Sequence, residues 1–148
     1  MENSTIHILL ADDDEGDRLI FGEAMGELEI NHTFYTVNNG IQLMEYLTKN
    51  EAILPHLIFL DLNMPRKNGL ECLREIRSDE NFKEILIAVY STSGAEKDIN
   101  ETFLSGANVY IKKPNNFAML KQLLCKAVTA CNLCKGESFD RENFLLSI

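Results

Sequence analysis

Short apolar runs alternate along this chain with segments in which apolar residues recur every three or four positions. The runs have the length of strands covered on both faces, and the periodic segments read as the helices that cover them. Ile6 to Ala11 predicts a first buried strand. Leu19, Ile20, Ala24, Met25 and Leu28 follow at helical spacing and predict the apolar face of a first helix. Gly22 and Gly26 weaken that helix by about 1 kcal/mol each relative to Ala. Thr33 to Val37 is rich in β-branched and aromatic residues and predicts a second strand. Asn38-Asn39-Gly40 turns the chain into a second helix with Leu43, Met44 and Leu47 on one face.

Pro55 ends the next loop, and Leu57 to Leu60 predicts the third strand. A loop containing Pro65 and Gly69 leads into a third helix with Leu70, Leu73 and Ile76. Ile85 to Tyr90 predicts a fourth strand, Ala95 to Leu104 a fourth helix, Val109 to Ile111 a fifth strand and Phe117 to Ala130 a fifth helix. In the fourth helix Ile99 and Phe103, four apart, are read as facing the core. In the fifth, Leu120, Leu123, Leu124 and Val128 form the apolar face. Five βα units in succession predict an α/β fold with a doubly wound parallel sheet, residues 1–130, followed by a C-terminal extension, 131–148. Phe139, Phe144, Leu145 and Leu146 are the expected anchors of that extension on the domain or on a second copy.

In open α/β sheets, ligands bind beyond the carboxyl ends of the strands. The residues there carry chemistry. Asp12, Asp13 and Asp14 follow the first strand, Asp61 the third, Ser91, Thr92 and Ser93 the fourth, and Lys112, Lys113 and Pro114 the fifth. Carboxylates from two strand ends can share one hard cation through oxygen, which suits Mg²⁺. Carboxylates this close raise each other's pKa unless a cation or a lysine offsets them. A central carboxylate flanked by a metal ion and a lysine can attack phosphorus, as aspartyl-phosphate-forming nucleophiles do. Taken alone, Asp12 to Asp14 would read as a solvated loop with a helix cap; Asp61 and Lys113 change that reading.

Composition narrows the choice further. The chain has 148 residues, enough for one domain with a sizeable core. Lys and Arg total 14 against 23 Asp and Glu, a net charge of -9, with no basic cluster beyond the pairs Arg66-Lys67 and Lys112-Lys113. That argues against a nucleic-acid partner. Cys131 and Cys134 form a single C-x-x-C without a second ligand pair, so the expectation is reduced thiols and no zinc site. No apolar run approaches the ~20 residues of a membrane span, and the first residues lack a basic leader, so no membrane partner and a cytoplasmic location are expected. The stretch after the fifth helix is too short for a DNA-binding domain, which leaves a protein contact, an oligomer change or phosphoryl relay to another protein as the expected output.

With these motifs in hand, the chain resembles the receiver domain of two-component response regulators. The resemblance rests on Ile8-Leu9-Leu10-Ala11-Asp12-Asp13, on Leu60-Asp61-Leu62-Asn63-Met64-Pro65 with Gly69, on Tyr90-Ser91-Thr92-Ser93, and on Tyr110-Ile111-Lys112-Lys113-Pro114. Within that family it is similar to the small receivers of the cyanobacterial phytochrome response-regulator type. The resemblance implies a flavodoxin-like sheet ordered 2-1-3-4-5 and a phosphoryl group accepted on Asp61 from a sensor histidine kinase or histidine phosphotransfer protein. It implies Mg²⁺ held by Asp12, Asp13, Asp61 and the backbone carbonyl of Asn63. Ser91 matches the switch hydroxyl, and Lys113 the lysine that contacts the phosphoryl group, with a cis bond to Pro114. Tyr110 matches the aromatic residue that swings inward. A homodimer through the edge of the fourth helix, fifth strand and fifth helix is a further implication.

Three positions have a neighbour of the same kind. Asp14 stands where a helix N-cap belongs, so Asp12 and Asp13 are taken as the metal pair. Lys113 directly precedes the proline, and strand alternation sends Lys112 to the other face. Ser91 stands where the family often has threonine, with Thr92 as the adjacent alternative. Two other functions compete. A flavin carrier of the same topology would need a phosphate-cradling loop after the first strand, where three aspartates stand. A pseudo-receiver acting by contact alone would be expected to lack an acid, the acceptor or the lysine.

Overall fold

Strands that are apolar on both faces must be covered on both faces, and that requirement sets the architecture. The computed structural model describes residues 5–49 and 53–133. Within them β1 (Ile6–Ala11), β2 (His32–Val37), β3 (Leu57–Leu60), β4 (Leu86–Ser91) and β5 (Val109–Lys112) form one sheet in the order β2-β1-β3-β4-β5, with every pairing parallel. The helices are α1 (Glu15–Gly26), α2 (Gly40–Lys49), α3 (Gly69–Arg77), α4 (Glu96–Leu104) and α5 (Phe117–Leu133). This is the flavodoxin-like order expected.

Alternation along the strands divides the core in two. Ile6, Ile8 and Leu10 of β1 point to one side, where Phe21, Ala24 and Met25 of α1 meet Leu120, Leu123, Leu124 and Val128 of α5. Leu9 and Ala11 point to the other, against Leu43 and Leu47 of α2, Leu73 and Ile76 of α3 and Ile99 of α4. Phe103 packs on that second cluster, so both α4 residues read as core-facing do face the core.

The first helix keeps Ala24 and Met25 of its expected face against the core, with Leu28 just past its end, but turns Leu19 and Ile20 out. Leu19 is 63% exposed and Ile20 48%, while Phe21 is fully buried. Phe21 packs edge-on against Phe59, 4.9 Å away, and Tyr90, 5.2 Å away, and stacks on Phe34. One aromatic wedge between α1 and the sheet thereby sets the rotation of the helix. A turn of 3₁₀ helix, Glu80–Phe82, was not expected; it tucks Phe82 into the second cluster. α5 continues to Leu133, three residues past the boundary drawn at 130, and Cys131 belongs to the core through it. Cys134 and the expected anchors Phe139, Phe144, Leu145 and Leu146 lie outside the described residues. Among the described residues no helix is long and apolar enough to cross a membrane.

Candidate functional site

Parallel pairing brings the strand ends to one edge of the sheet. Ala11 of β1 lies across from Leu60 of β3, and Leu60 across from Val89 of β4. The residues that follow them, Asp12, Asp61 and the end of β4, therefore share that edge. Lys112 pairs with Ser91, and Lys113 comes next, its N–H donating to the Ser91 carbonyl at 2.7 Å.

The first turn of α1 organises the acidic loop. Asp14 is the N-cap and accepts from the Asp17 N–H at 2.8 Å, satisfying one of the helix's orphan donors. Asp12 is buried; its Oδ1 accepts from the Asp14 N–H at 3.0 Å, and its carbonyl accepts from Arg18 Nη1 at 2.8 Å. Asp13 is exposed. Asp61 is 4% exposed at the end of an apolar strand, with Oδ1 accepting from the Asn63 N–H at 3.3 Å. Asp12, Asp13 and Asp61 each offer an oxygen within 4.8 Å of the others. An octahedral ion with ligands at about 2.0–2.1 Å has opposite ligands roughly 4.2 Å apart, so small side-chain adjustments let this all-oxygen set hold a hard divalent cation.

Lys113 supplies the cation on the other side. Its Nζ lies 2.8 Å from Asp17 Oδ2, 3.0 Å from Asp12 Oδ2 and 3.7 Å from Asp61 Oδ2, and 5.2 Å from the centre of the Tyr90 ring. Burial pushes the ammonium's pKa down, but hydrogen bonds to Asp17 and Asp12 and the charge of Asp61 hold it above its ordinary value, so it stays charged. Burial pushes the Asp61 carboxyl up from an ordinary 3.8 to about 7; Lys113 opposes the rise and Asp12 adds to it. A carboxylate this poorly solvated needs further positive charge to remain ionised at neutral pH, which a divalent cation bound beside it would provide.

The hydroxyl loop is wired differently. Ser91 is fully buried and Thr92 exposed. Ser91 Oγ accepts from the Ser93 N–H at 3.1 Å; Ser93 Oγ donates to Asp98 Oδ2 at 2.6 Å and accepts from the Ala95 N–H at 3.1 Å. The Tyr110 ring is fully buried, and its hydroxyl donates to the Ser93 carbonyl at 2.8 Å. The Lys113–Pro114 bond, expected to be cis, is trans, the commoner state of X–Pro bonds, and Lys113 reaches the acids from it. Asp17 escaped the sequence reading, and so did Ser93 as a junction between the fourth strand, α4 and Tyr110. For Asp17 the one available signal was its place three residues after the N-cap aspartate in the first turn of a helix.

Comparison with known proteins gives this arrangement its class. The model of the response regulator receiver domain matches residues 8–125, and the chain belongs to that family. It is similar to the response regulator Rcp1 of Synechocystis, 31% identical over 121 residues that cover 79% of this chain and 82% of that protein. It is also 31% identical over 117 residues to the chemotaxis protein CheY1 of Helicobacter pylori, covering 79% of this chain and 92% of that one. Among solved structures, the phosphorylated cyanobacterial phytochrome response regulator RcpA superposes with a TM-score of 0.77 at 36% identity, covering 86% of this chain and 93% of its own. The Mn²⁺-bound form of Rcp1 superposes with a TM-score of 0.75 at 29% identity, covering 84% and 92%.

Proposed function

We propose that this chain is a phosphorylated switch whose acceptor is Asp61. The observation that carries the reading is the convergence of Lys113 Nζ and two further carboxylates on one buried strand-end aspartate. In the step, an Asp61 carboxylate oxygen attacks phosphorus as the P–N bond to a phosphohistidine breaks, and the electron pair leaves with the imidazole. The donor is a sensor histidine kinase or a histidine phosphotransfer protein. Asp12, Asp13, Asp61 and the Asn63 carbonyl would hold Mg²⁺, which when bound neutralises charge on the transferring oxygens. The Mn²⁺-bound form of the similar Rcp1 supports a divalent cation at such a site. Lys113 offsets the remaining negative charge. Ser91 donates to a phosphoryl oxygen once it gives up its contact with Ser93. The protein promotes only its own phosphorylation and dephosphorylation, and a cytoplasmic location accords with such partners.

The output leaves through α4, β5 and α5. Ser93 ties the hydroxyl loop to Asp98 of α4 and to Tyr110 of β5, so a shift of Ser91 reaches both elements. Leu104, at the end of α4, is 82% exposed on this edge and suits a protein contact, including one with a second copy. Incubation with Mg²⁺ and acetyl phosphate is expected to add one phosphoryl group, and Asp61→Asn to abolish it. Mass spectrometry showing undiminished labelling of that variant would refute the assignment.

A further inference from the structure

Lys113 is shared, and the sharing is uneven. Its shortest contact is with Asp17 at 2.8 Å, followed by Asp12 at 3.0 Å, while Asp61 stands beyond hydrogen-bond reach at 3.7 Å. Asp17 is no part of the strand-end set. It sits in the first turn of α1, its backbone N–H fixed by the Asp14 cap, so the helix start presents its carboxylate to the ammonium. Keeping Lys113 in the site does not require it, because the buried Asp12 and the Tyr90 ring already hold the ammonium there.

The geometry points to Asp17 as a positioning residue that competes with the incoming phosphoryl group for Lys113 and slows phosphorylation of Asp61. This rests on the acceptor reading given above. The physical argument is one of charge. Asp17 and Asp61 stand 2.8 Å and 3.7 Å from the same nitrogen, so a phosphoryl group arriving at Asp61 falls within the ~10 Å over which charges act at 0.1 M salt. It meets a lysine whose nearest partner is another anion. Asp17 is 39% exposed at its side chain, so the effect is moderate and open to screening by salt.

Asp17→Asn tests this, since the amide oxygen can still accept from Lys113 while the charge is gone. The measured quantity is the rate at which acetyl phosphate and Mg²⁺ label the full chain, the Asp61 oxygen bonding to phosphorus as the P–O bond to acetate breaks. At low salt Asp17→Asn is expected to label about twofold to fivefold faster than wild type. At about 1 M salt, where the screening length falls to ~3 Å, the gain is expected to vanish. Asp17→Glu, which keeps the charge, is expected to match wild type. Glu29→Gln changes the net charge equally in the exposed loop between α1 and β2 and is expected to have no effect. A merely structural Asp17 predicts slower labelling in the asparagine variant. Equal or slower labelling, a gain that survives high salt, or the same gain in Asp17→Glu or Glu29→Gln overturns the role of Asp17 alone. Failure of wild type to label at all overturns the acceptor reading and this one with it.

Discussion

Two loops belong to the site, and they are held by opposite means. The loop from Asp61 into α3 is fixed by close packing. A methyl group on Gly69 would overlap the Asp61 carbonyl oxygen and lie 2.8 Å from Leu62 Cα, and one on Gly40 would overlap the Lys67 carbonyl and meet Cys72 Sγ at 2.8 Å. Met64 is buried beneath the loop, Gly69 N–H donates to the Leu62 carbonyl at 3.0 Å, and Asn68 closes a capping box with Glu71. The loop from Ser91 into α4 is held by hydroxyl hydrogen bonds instead. There a methyl group on Gly94 would find only ordinary contact with the Lys112 side chain, at 3.4 Å and beyond, and α4 starts at Ala95 with no side-chain cap. Steric packing permits one arrangement, whereas hydroxyls can exchange partners at little cost. On the proposed reading, the first loop would keep Asp61 in place and the second would respond.

The largest test of that contrast is Gly69→Ala, expected to lower stability by about 3 kcal/mol or more in urea denaturation, since backbone rather than a flexible side chain must give way. Denaturation within error of wild type would dissolve the steric half of the comparison. Next comes Asp61→Asn. The folded protein holds the Asp61 proton up to about pH 7, while the unfolded chain releases it near 3.8. Stability therefore falls as pH rises through that window. In the absence of Mg²⁺ the asparagine variant is expected to be more stable than wild type by about 1–3 kcal/mol at pH 8 and nearly equal at pH 4. Saturating Mg²⁺ should remove the advantage, and an advantage that is the same at every pH would contradict the burial argument.

A smaller effect is expected of Ser93→Ala, about 1–2 kcal/mol, because Asp98, the Ala95 N–H and thus the start of α4 lose a partner. Amide exchange should quicken in residues 93–100 and stay unchanged in 61–69. If both loops loosen together, they are one unit and the contrast fails. The smallest is Gly94→Ala, expected within about 0.5 kcal/mol of wild type by the same denaturation measurement.

The strands and most helices were legible because burial on two faces leaves a continuous apolar run, and the site because open sheets collect ligands at the strand ends. Helix α1 shows where periodicity misleads. Ala24, Met25 and Leu28 were read correctly, but Leu19-Ile20 and Phe21 fit the first part of that face equally well as a pattern. What decides is whether a large aromatic finds a slot between Phe59 and Tyr90, which are far off in sequence. Asp17 was hidden for the same reason. Its partner stands 96 residues away, and an aspartate in a first helical turn is common enough to pass as a contribution to the helix dipole. The serines illustrate the converse. Ser91, Thr92 and Ser93 were equivalent as letters, and only the direction of each side chain separates a buried hydroxyl, an exposed one and a junction to α4.

The contact between Asp12 and Lys113 spans 101 residues of chain. A growing chain on the ribosome therefore carries Asp61 and both of its acidic neighbours before Lys113 exists. Contacts this distant in sequence form late, after much of the sheet has assembled. Until β5 docks, Asp61 of an emerging chain has no Lys113 beside it. On the proposed reading, competence to accept a phosphoryl group would therefore arrive in a single step, when β5 docks and brings Lys113 to Asp61.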